Sequence, residues 1–266
     1  MPIAKCPQCL QEKPLIMSHM IPSAIYDYTR GPSGHHISMT PDLVIETDRE
    51  VQAPLLCREC DNDLNKYGET WLLPLLARID GTFPFYDLLT KIPPDAVDNG
   101  TAGYATARNP EIDAEKITHF AVGVFWKAAI HSWRGNTSDP VIDLGPYTES
   151  LRTFLRGETQ FPEQVALTIG VLTPSKAQKT ISMTQPYRGS NRDWHNFLFY
   201  IPGIEFAISV GKAVGEERRG ECFYTNPLHP IYVIDFSEDI RGVQRMMFKN
   251  AKIARNVHKY MKKNPQ

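Results

Sequence analysis

The sequence predicts an α+β fold, with a small cysteine-stapled domain at the N-terminus followed by a mixed domain of helices and a mostly antiparallel sheet. Two CxxC pairs, Cys6-Pro-Gln-Cys9 and Cys57-Arg-Glu-Cys60, lie at the two ends of the first segment. Apolar residues recur at three- and four-residue spacing after the second pair and again over residues 111–132, which indicates helices. From Gln164 onward, short apolar runs separated by turn residues indicate strands.

The composition is that of a folded globular protein without a general charge bias. The chain has 266 residues, 42% of them hydrophobic, and a formal net charge of −1. This balance excludes a general electrostatic attraction to nucleic acid or anionic membranes, so such binding needs a local basic patch. No apolar run approaches the roughly 20 residues that span a bilayer, and the opening Met1-Pro-Ile-Ala-Lys5 lacks the pattern of an export signal. We therefore expect a cytoplasmic protein without a membrane partner.

The two CxxC pairs predict a structural zinc site. Each pair can place two thiolate sulfurs on one ion, so Cys6, Cys9, Cys57 and Cys60 together complete a tetrahedral Zn²⁺ site. In a reducing compartment such pairs bind metal and do not oxidise to disulfides. Cys222 stands alone in an apolar stretch and is predicted to be a buried core thiol.

A histidine lies between the two cysteine pairs, close to a predicted strand end. The segment Ser18-His19-Met-Ile-Pro22 belongs to a strand predicted over residues 15–21, which Pro22 terminates. Further along, a helical turn is expected at residues 24–28 and a strand at residues 42–46. His19 is therefore expected near the end of the first strand.

A helix is expected to begin directly at the second cysteine pair. Its apolar residues are spaced three and four apart. They are Leu64, Tyr67, Trp71, Leu72 and Leu75. Pro74 is expected to kink or end this helix. A helix that begins at the last cysteine pair is what a treble-clef zinc fold requires.

The chain is predicted to divide into a zinc-binding domain over residues 1–80, a linker over residues 81–110 and an α+β domain over residues 111–266. The linker is inferred from its Pro, Gly and polar residues, including Pro93-Pro94 and Asp98-Asn-Gly100. The last domain is predicted to contain buried and shorter helices, a sheet of about five strands and a basic C-terminal helix. The helices are expected at 111–132, 147–155 and 238–263, and the strands at 165–172, 180–183, 197–201, 204–210 and 230–234.

The order of the N-terminal motifs resembles that of the HNH nucleases, a ββα-metal or treble-clef family, and in particular their zinc-bound branch from bacterial and phage genomes. The resemblance covers roughly residues 3–75 and consists of a CxxC pair, a His-apolar-Ile-Pro turn at His19, and the Leu56-Cys57-Arg-Glu-Cys60 segment that opens a helix. It implies a general base at His19 that takes a proton from the water attacking a phosphodiester. It also implies a catalytic Mg²⁺ or Mn²⁺ ion.

The same resemblance implies metal ligands beside the base and on the helix after the second pair, where side chains four apart share a face. Those helix positions hold Asp61 or Asn62, with Asn65 or Lys66 one turn further on. Family members usually have Asp, Glu or His before the base, where this chain has Ser18. Asp61 is then the strongest remaining ligand, and Glu69 is a candidate for a second one.

Basic residues suggest where a nucleic acid could bind. Lys66 follows the candidate ligands, and the last predicted helix carries eight Lys or Arg residues that could follow a phosphate backbone. The candidates for nucleic-acid contact are Lys66, Lys249, Lys252, Arg255 and Lys259. A solvated helix face is the alternative interpretation of the C-terminal group.

Two hypotheses of different classes follow. The first is a metal-dependent HNH-like endonuclease that hydrolyses phosphodiester bonds, in the setting of phage defence or a mobile element, with His19 as base and Asp61, Glu69 and Asn65 as candidate ligands. The second is a non-catalytic zinc module that binds nucleic acid or, through the C-terminal domain, a protein partner. An active site in the C-terminal sheet is a third possibility, although that region has no recognisable nucleophile or phosphate-binding motif.

Overall fold

A computed structural model describes residues 1–31, 33–39, 43–133, 140–189, 195–212, 214–254 and 257. The fold is α+β with sheets that are mostly antiparallel, as the sequence predicts. The described residues form two three-stranded sheets and one seven-stranded sheet. Residue pairing between distant parts of the chain decides which side chains meet at the candidate site.

The first sheet holds the two cysteine pairs together. Its strands are β1 (Ile3–Lys5), β2 (Glu12–His19) and β5 (Gln52–Cys57), and the order is β1-β2-β5 with antiparallel neighbours. Leu15 pairs with Cys57, so the end of β5 lies beside the turn between β1 and β2. His19 is the last residue of β2, which confirms its predicted place at a strand end.

A short helix and a second small sheet lie between β2 and β5. Helix α1 (Ser23–Thr29) follows Pro22, and β3 (His36–Met39) pairs antiparallel with β4 (Leu43–Thr47). The strand predicted at residues 42–46 is thus confirmed from Leu43, while Asp42 lies outside the described residues. The third strand of this sheet, β13 (Lys252–Ile253), comes from the other end of the chain and pairs parallel with β4.

The helix after the second cysteine pair changes its winding along its length. It comprises α2 (Arg58–Leu64), a π-helical segment (Asn65–Glu69), α3 (Thr70–Leu72) and a 3₁₀ turn (Leu73–Leu75). The predicted helix and its end near Pro74 are confirmed. Apolar spacing does not reveal the π-helical segment, which has i→i+5 bonds and occurs mostly as single turns.

Further helices follow along the chain. They are α4 (Pro84–Leu89), α5 (Ala114–Ile130), α6 (Tyr147–Leu155), α7 (Pro174–Lys179), α8 (Glu216–Gly220) and α9 (Ser237–Asn250), with a 3₁₀ turn at Thr106–Arg108. The Asp113 carboxylate accepts a hydrogen bond from the Lys116 backbone N–H and so caps the start of α5. Helices α5 and α6 confirm the sequence predictions for 111–132 and 147–155. Gly157, with a φ of 67°, follows the end of α6.

The large sheet has the order β6-β7-β12-β8-β11-β10-β9. Its strands are β6 (Ala96–Asp98), β7 (Thr101–Ala105), β8 (Val165–Val171), β9 (Tyr187–Arg188), β10 (His195–Ile201), β11 (Ile204–Val210) and β12 (Pro230–Val233). Within the described part of this sheet, the pairing of β12 with β8 is parallel and the other pairings are antiparallel. Strands β10 and β11 form the hairpin predicted at Pro202-Gly203, where Gly203 has a φ of 87°.

Two expectations for this region are corrected. Residues 81–110 were expected to be a connection, but they contain α4, β6 and β7, and both strands join the large sheet. The strand predicted at residues 180–183 is not formed. Thr180 instead ends α7, because its hydroxyl donates to the Lys176 carbonyl and its N–H to the Ala177 carbonyl. The domain bounds themselves stay a prediction.

The C-terminal helix is shorter than predicted. It ends at Asn250, and not near residue 263, because the chain turns back to pair with β4, where the Ala254 N–H donates to the Val44 carbonyl. The predicted basic residues Lys249 and Lys252 therefore lie on a helix end and a strand. Arg255 and Lys259 lie outside the described residues.

Helix α5 packs between the N-terminal elements and the large sheet. The Phe120 ring lies 5.7 Å from the Phe206 ring of β11. On its other side the Phe120 backbone is so close to Gly68 that a Cβ at Gly68 would come within 2.8 Å of it. Leu64, Phe120 and Phe206 belong to one buried apolar cluster. The N-terminal elements and the sheet thus share a core through α5.

Candidate metal centre and histidine site

The four paired cysteines converge on one point. Cys6 follows β1, Cys9 lies in the next turn, and Cys57 and Cys60 lie at the junction of β5 and α2. Their sulfur atoms all lie within 4.8 Å of one another, and those of Cys9 and Cys57 are 3.9 Å apart. Zinc–sulfur bonds of about 2.3 Å give a tetrahedron with sulfurs about 3.8 Å apart. The cluster could hold a metal ion and is consistent with a zinc-binding domain.

Local backbone geometry shapes the first half of this cluster. The Leu10 N–H donates to the Cys6 carbonyl and the Cys6 N–H to the Gln11 carbonyl, which closes a tight turn. Leu10 adopts a φ of 61°, a left-handed conformation that is rare for a branched residue. The turn is braced from outside by Arg152 of α6, whose guanidinium donates to the Gln8 carbonyl at 2.8 Å. Arg152 and Gln8 are both buried.

Hydrogen bonds favour a thiolate within the cluster. The Cys60 thiol and then the backbone N–H groups of Cys57, Cys9 and Gln8 lower the pKa of Cys6 to about 4, against the effect of burial. The pKa of Cys60 is raised, first because it donates its proton to Cys6. Deprotonated sulfur is the form that binds metal, so this environment suits a cation bound by thiolates.

His19 forms an ion-pair chain with two side chains from neighbouring elements. Its Nε2 lies 2.9 Å from one Glu50 carboxylate oxygen, and the Arg30 guanidinium lies 3.2 Å from the other oxygen. An ionised carboxylate can only accept, so the hydrogen of neutral His19 lies on Nε2 and Nδ1 keeps its lone pair. The His19 side chain is 26% exposed. An imidazole held in this tautomer can accept a proton at Nδ1.

A buried lysine of α5 contacts the backbone of the same histidine. Lys127 Nζ donates to the His19 backbone carbonyl at 2.8 Å and lies 3.7 Å from a Glu69 carboxylate oxygen. The Lys127 side chain is 4% exposed and that of Glu69 is 18% exposed. Burial raises the pKa of Glu69, the Lys127 charge opposes this shift, and the nearby Asp61 adds to it.

Two of the predicted catalytic residues, His19 and Asp61, lie close enough to the third, Glu69, to act on its pKa through their charges. Asn65 is exposed, and its amide oxygen accepts a hydrogen bond from the Thr70 hydroxyl at 2.6 Å. Ser18 is buried, and its hydroxyl accepts a hydrogen bond from the Leu56 N–H. Their catalytic roles stay predictions.

The described basic residues predicted to contact nucleic acid lie on three different elements. Lys66 lies in the π-helical segment with its ammonium 5.0 Å from the centre of the Tyr67 ring. Lys249 lies in the last turn of α9, and Lys252 begins β13, next to the β3–β4 hairpin. In the sequence, this hairpin comes shortly before Glu50.

The sequence analysis missed Glu50, Arg30, Lys127 and Arg152. Glu50 and Arg30 lie in polar stretches where nothing distinguishes them from solvated residues. Lys127 did carry a signal, because it is the one charged residue in the apolar run from Phe120 to Ile130. A lysine in such a run is rarely buried unless a polar partner is present.

Compared with models of protein families, with curated proteins and with solved structures, the chain has no significant match. The resemblance to HNH nucleases therefore rests on the motif residues of the chain itself. Among the described residues, no helix combines the length and apolar character needed to cross a membrane.

Proposed function

We propose that the protein is a zinc-bound, HNH-like endonuclease that hydrolyses phosphodiester bonds of nucleic acid. The observation that carries this proposal is the placement of His19. It lies at a strand end between the two cysteine pairs and is oriented by Glu50, and both His19 and Asp61 are close enough to Glu69 to act on its pKa. A module that only bound zinc would need none of these contacts.

Zinc is the metal that best suits the cysteine cluster. Four thiolates with no open position are typical of structural zinc sites, whereas catalytic zinc keeps a place for water. The Lys13 side chain, which pairs with Glu59 at the edge of the cluster, offsets part of the negative charge of the thiolates. Zinc bound here would stabilise the strand and helix that carry His19 and Asp61.

His19 acts as the general base in the proposed reaction. Its Nδ1 takes a proton from a water molecule as the water oxygen attacks phosphorus, and the bond from phosphorus to the leaving oxygen breaks. Glu50 then stabilises the imidazolium that forms, since its carboxylate already accepts the Nε2 hydrogen. Arg30 holds Glu50 from the other side.

A Mg²⁺ or Mn²⁺ ion, if bound, would stabilise negative charge on the phosphate oxygens and the leaving group. Asp61 is the candidate ligand that makes no ion pair within the described residues. Glu69 is engaged by Lys127, and the Asn65 amide oxygen is engaged by Thr70. One carboxylate with several waters is a ligand set that Mg²⁺ accepts. Asp61 would thus hold the ion, with Asn65 one turn away on the same helix.

Nucleic acid is the proposed partner, and Lys66, Lys249 and Lys252 are the described residues proposed to contact its backbone. Such contacts weaken as salt rises, because binding releases condensed counterions. The resemblance further implies a role in phage defence or in a mobile element, and we propose that the protein acts in the cytoplasm.

A second candidate function is a non-catalytic zinc module that binds nucleic acid or a protein partner. It is favoured by Ser18, which is buried and bonded to the Leu56 N–H where the family usually has a metal ligand. In this alternative the contacts of His19 are structural, neither the wild type nor His19→Ala cleaves nucleic acid, and replacing His19 changes only the stability.

The deciding experiment is a cleavage assay on single- and double-stranded DNA and RNA with Mg²⁺ or Mn²⁺. We expect His19→Ala to lower the rate by roughly 10²- to 10⁴-fold, the usual contribution of a general base. His195→Ala is the matched control, because this histidine is exposed at the start of β10 and should leave the rate unchanged. Equal rates for the wild type and His19→Ala would remove the catalytic assignment.

A further inference from the structure

We infer that the ammonium group of Lys127 occupies the place of a bound cation beside His19, between the His19 backbone carbonyl and the Glu69 carboxylate. In this position it prevents Glu69 from binding a divalent ion. The inference deepens the proposed nuclease function and rests on it for its catalytic meaning. The position of the ammonium itself can be tested without nucleic acid.

The contacts of Lys127 are those of a cation with two oxygen ligands. Nζ lies 2.8 Å from the His19 carbonyl oxygen and 3.7 Å from Glu69 Oε1. Apolar groups of α2 and α5, among them Leu64 and Val124, line most of the rest of the surrounding crevice, together with His119. A buried ammonium is costly unless such oxygens compensate it, so these two contacts determine where the Lys127 side chain ends.

The other described titratable groups near this ammonium do not supply a permanent positive charge. Asp61 acts on Glu69 through its charge, as His19 does only when it is protonated, and His119 lines the same crevice. Burial lowers the pKa of His119, which favours its neutral form. Lys127 is therefore the permanent positive charge closest to Glu69 among the described residues.

The backbone conformation places the Glu69 side chain close to Lys127. Glu69 is the last residue of the π-helical segment, and Gly68 before it lies against the Phe120 backbone of α5. Isolated π-helical turns occur frequently at functional sites because they re-aim a side chain. Here the turn and the close approach of α5 place the Glu69 carboxylate beside Lys127.

In the proposed reaction, fixed side chains provide part of the positive charge at the site. With Lys127 on Glu69 and Arg30 on Glu50, both carboxylates next to His19 are already neutralised by side chains. A divalent ion then depends on Asp61. The Lys127 charge, in contrast, is fixed in the fold and does not vary with the metal concentration.

The test is a titration of the zinc-loaded full-length chain with Mn²⁺, with free Mn²⁺ measured by electron paramagnetic resonance and no nucleic acid present. Lys127→Met keeps a long apolar stem and frees Glu69. We expect this variant to bind Mn²⁺ at least about tenfold more tightly than the wild type, the lower end of what an outer-shell change does to metal affinity. Adding Glu69→Gln to Lys127→Met should remove the gain, and Lys127→Arg should show none.

The single variant Glu69→Gln keeps the inference testable even if Lys127→Met does not fold. Because Lys127 prevents Glu69 from binding a metal ion in the wild type, Glu69→Gln should bind Mn²⁺ with the same affinity as the wild type. A weaker affinity in Glu69→Gln, or no gain in a folded Lys127→Met protein, would overturn the inference. Loss of the proposed nuclease function would appear in the cleavage assay alone, so the two failures are distinguishable.

Discussion

The Lys127 ammonium donates a hydrogen bond to the backbone carbonyl of His19 across 2.8 Å, although 108 residues separate them in the chain. Helix α5 is thereby fixed to the strand end that presents the candidate base. The same helix packs on the large sheet through Phe120. The second part of the chain therefore supports the candidate site directly.

Replacing one cysteine of the cluster should remove the bound metal. We expect Cys57→Ser to lose its stoichiometric metal and more than about 4 kcal/mol of stability, as is typical when a structural metal site is broken. Metal content by elemental mass spectrometry and thermal unfolding measure both effects. Cys222→Ala is the control, because this thiol is buried on the large sheet and should leave one metal ion per chain. Full metal content in Cys57→Ser would contradict the four-cysteine site.

The carboxylate of Glu50 should matter to cleavage through its hydrogen bond with His19. We expect Glu50→Ala to lower the cleavage rate by roughly 10- to 100-fold, part of the contribution of a general base. Glu50→Gln should fall between Glu50→Ala and the wild type, because its amide oxygen still accepts from Nε2. Nitrogen NMR of His19 provides a second measurement, with Nε2 protonated in the wild type and mixed tautomers in Glu50→Ala. Protonation of Nδ1 in the wild type would contradict the geometry.

Gly68 should not tolerate a side chain. A Cβ there would lie 2.8 Å from the backbone of Phe120, so α5 or the π-helical segment must shift. We expect Gly68→Ala to lower the free energy of unfolding by about 1–3 kcal/mol, the usual cost of overpacking. Gly123→Ala is the matched control, since its Cβ would meet only the flexible Leu64 side chain at 3.4 Å. Chemical denaturation compares the two, and equal stability would refute the close approach.

Glu205 should make stability depend on pH. Burial, and then the charge of Asp239, raises the pKa of Glu205 from 4.5 to about 7. Between these values the folded protein binds the extra proton, so the free energy of unfolding falls as pH rises from about 4.5 to 7. Glu205→Gln should remove at most about 3 kcal/mol of this decrease, the equivalent of the shift. Denaturant unfolding at several pH values measures it, and parallel profiles for the two proteins would contradict the shift.

Local patterns in the sequence predicted much of this fold because their causes are local. The cysteine spacing, the strand end at His19, the helix after Cys60 and the hairpin at Pro202-Gly203 each depend on a few neighbouring residues. The C-terminal helix was predicted too long since its basic and apolar pattern continues beyond Asn250. Its end depends on pairing with β4, which no local pattern shows.

The candidate site was predicted only in part, for the same physical reason. His19, Asp61 and Glu69 follow from motif order, whereas Glu50, Arg30 and Lys127 become visible only when the distant elements meet. Lys127 lies among apolar residues that predict a buried helix, and the sequence does not say which oxygen it meets. The π-helical turn at Glu69 has no sequence signature of its own.

The parallel pairing of β13 with β4 has a consequence for biosynthesis. Until Lys252 and Ile253 have left the ribosome, β4 is an edge strand with unpaired backbone groups. The segment before Glu50 is thus completed by residues that are translated long after it. An N-terminal fragment released early would expose this edge, and premature chain termination should therefore yield aggregation-prone products.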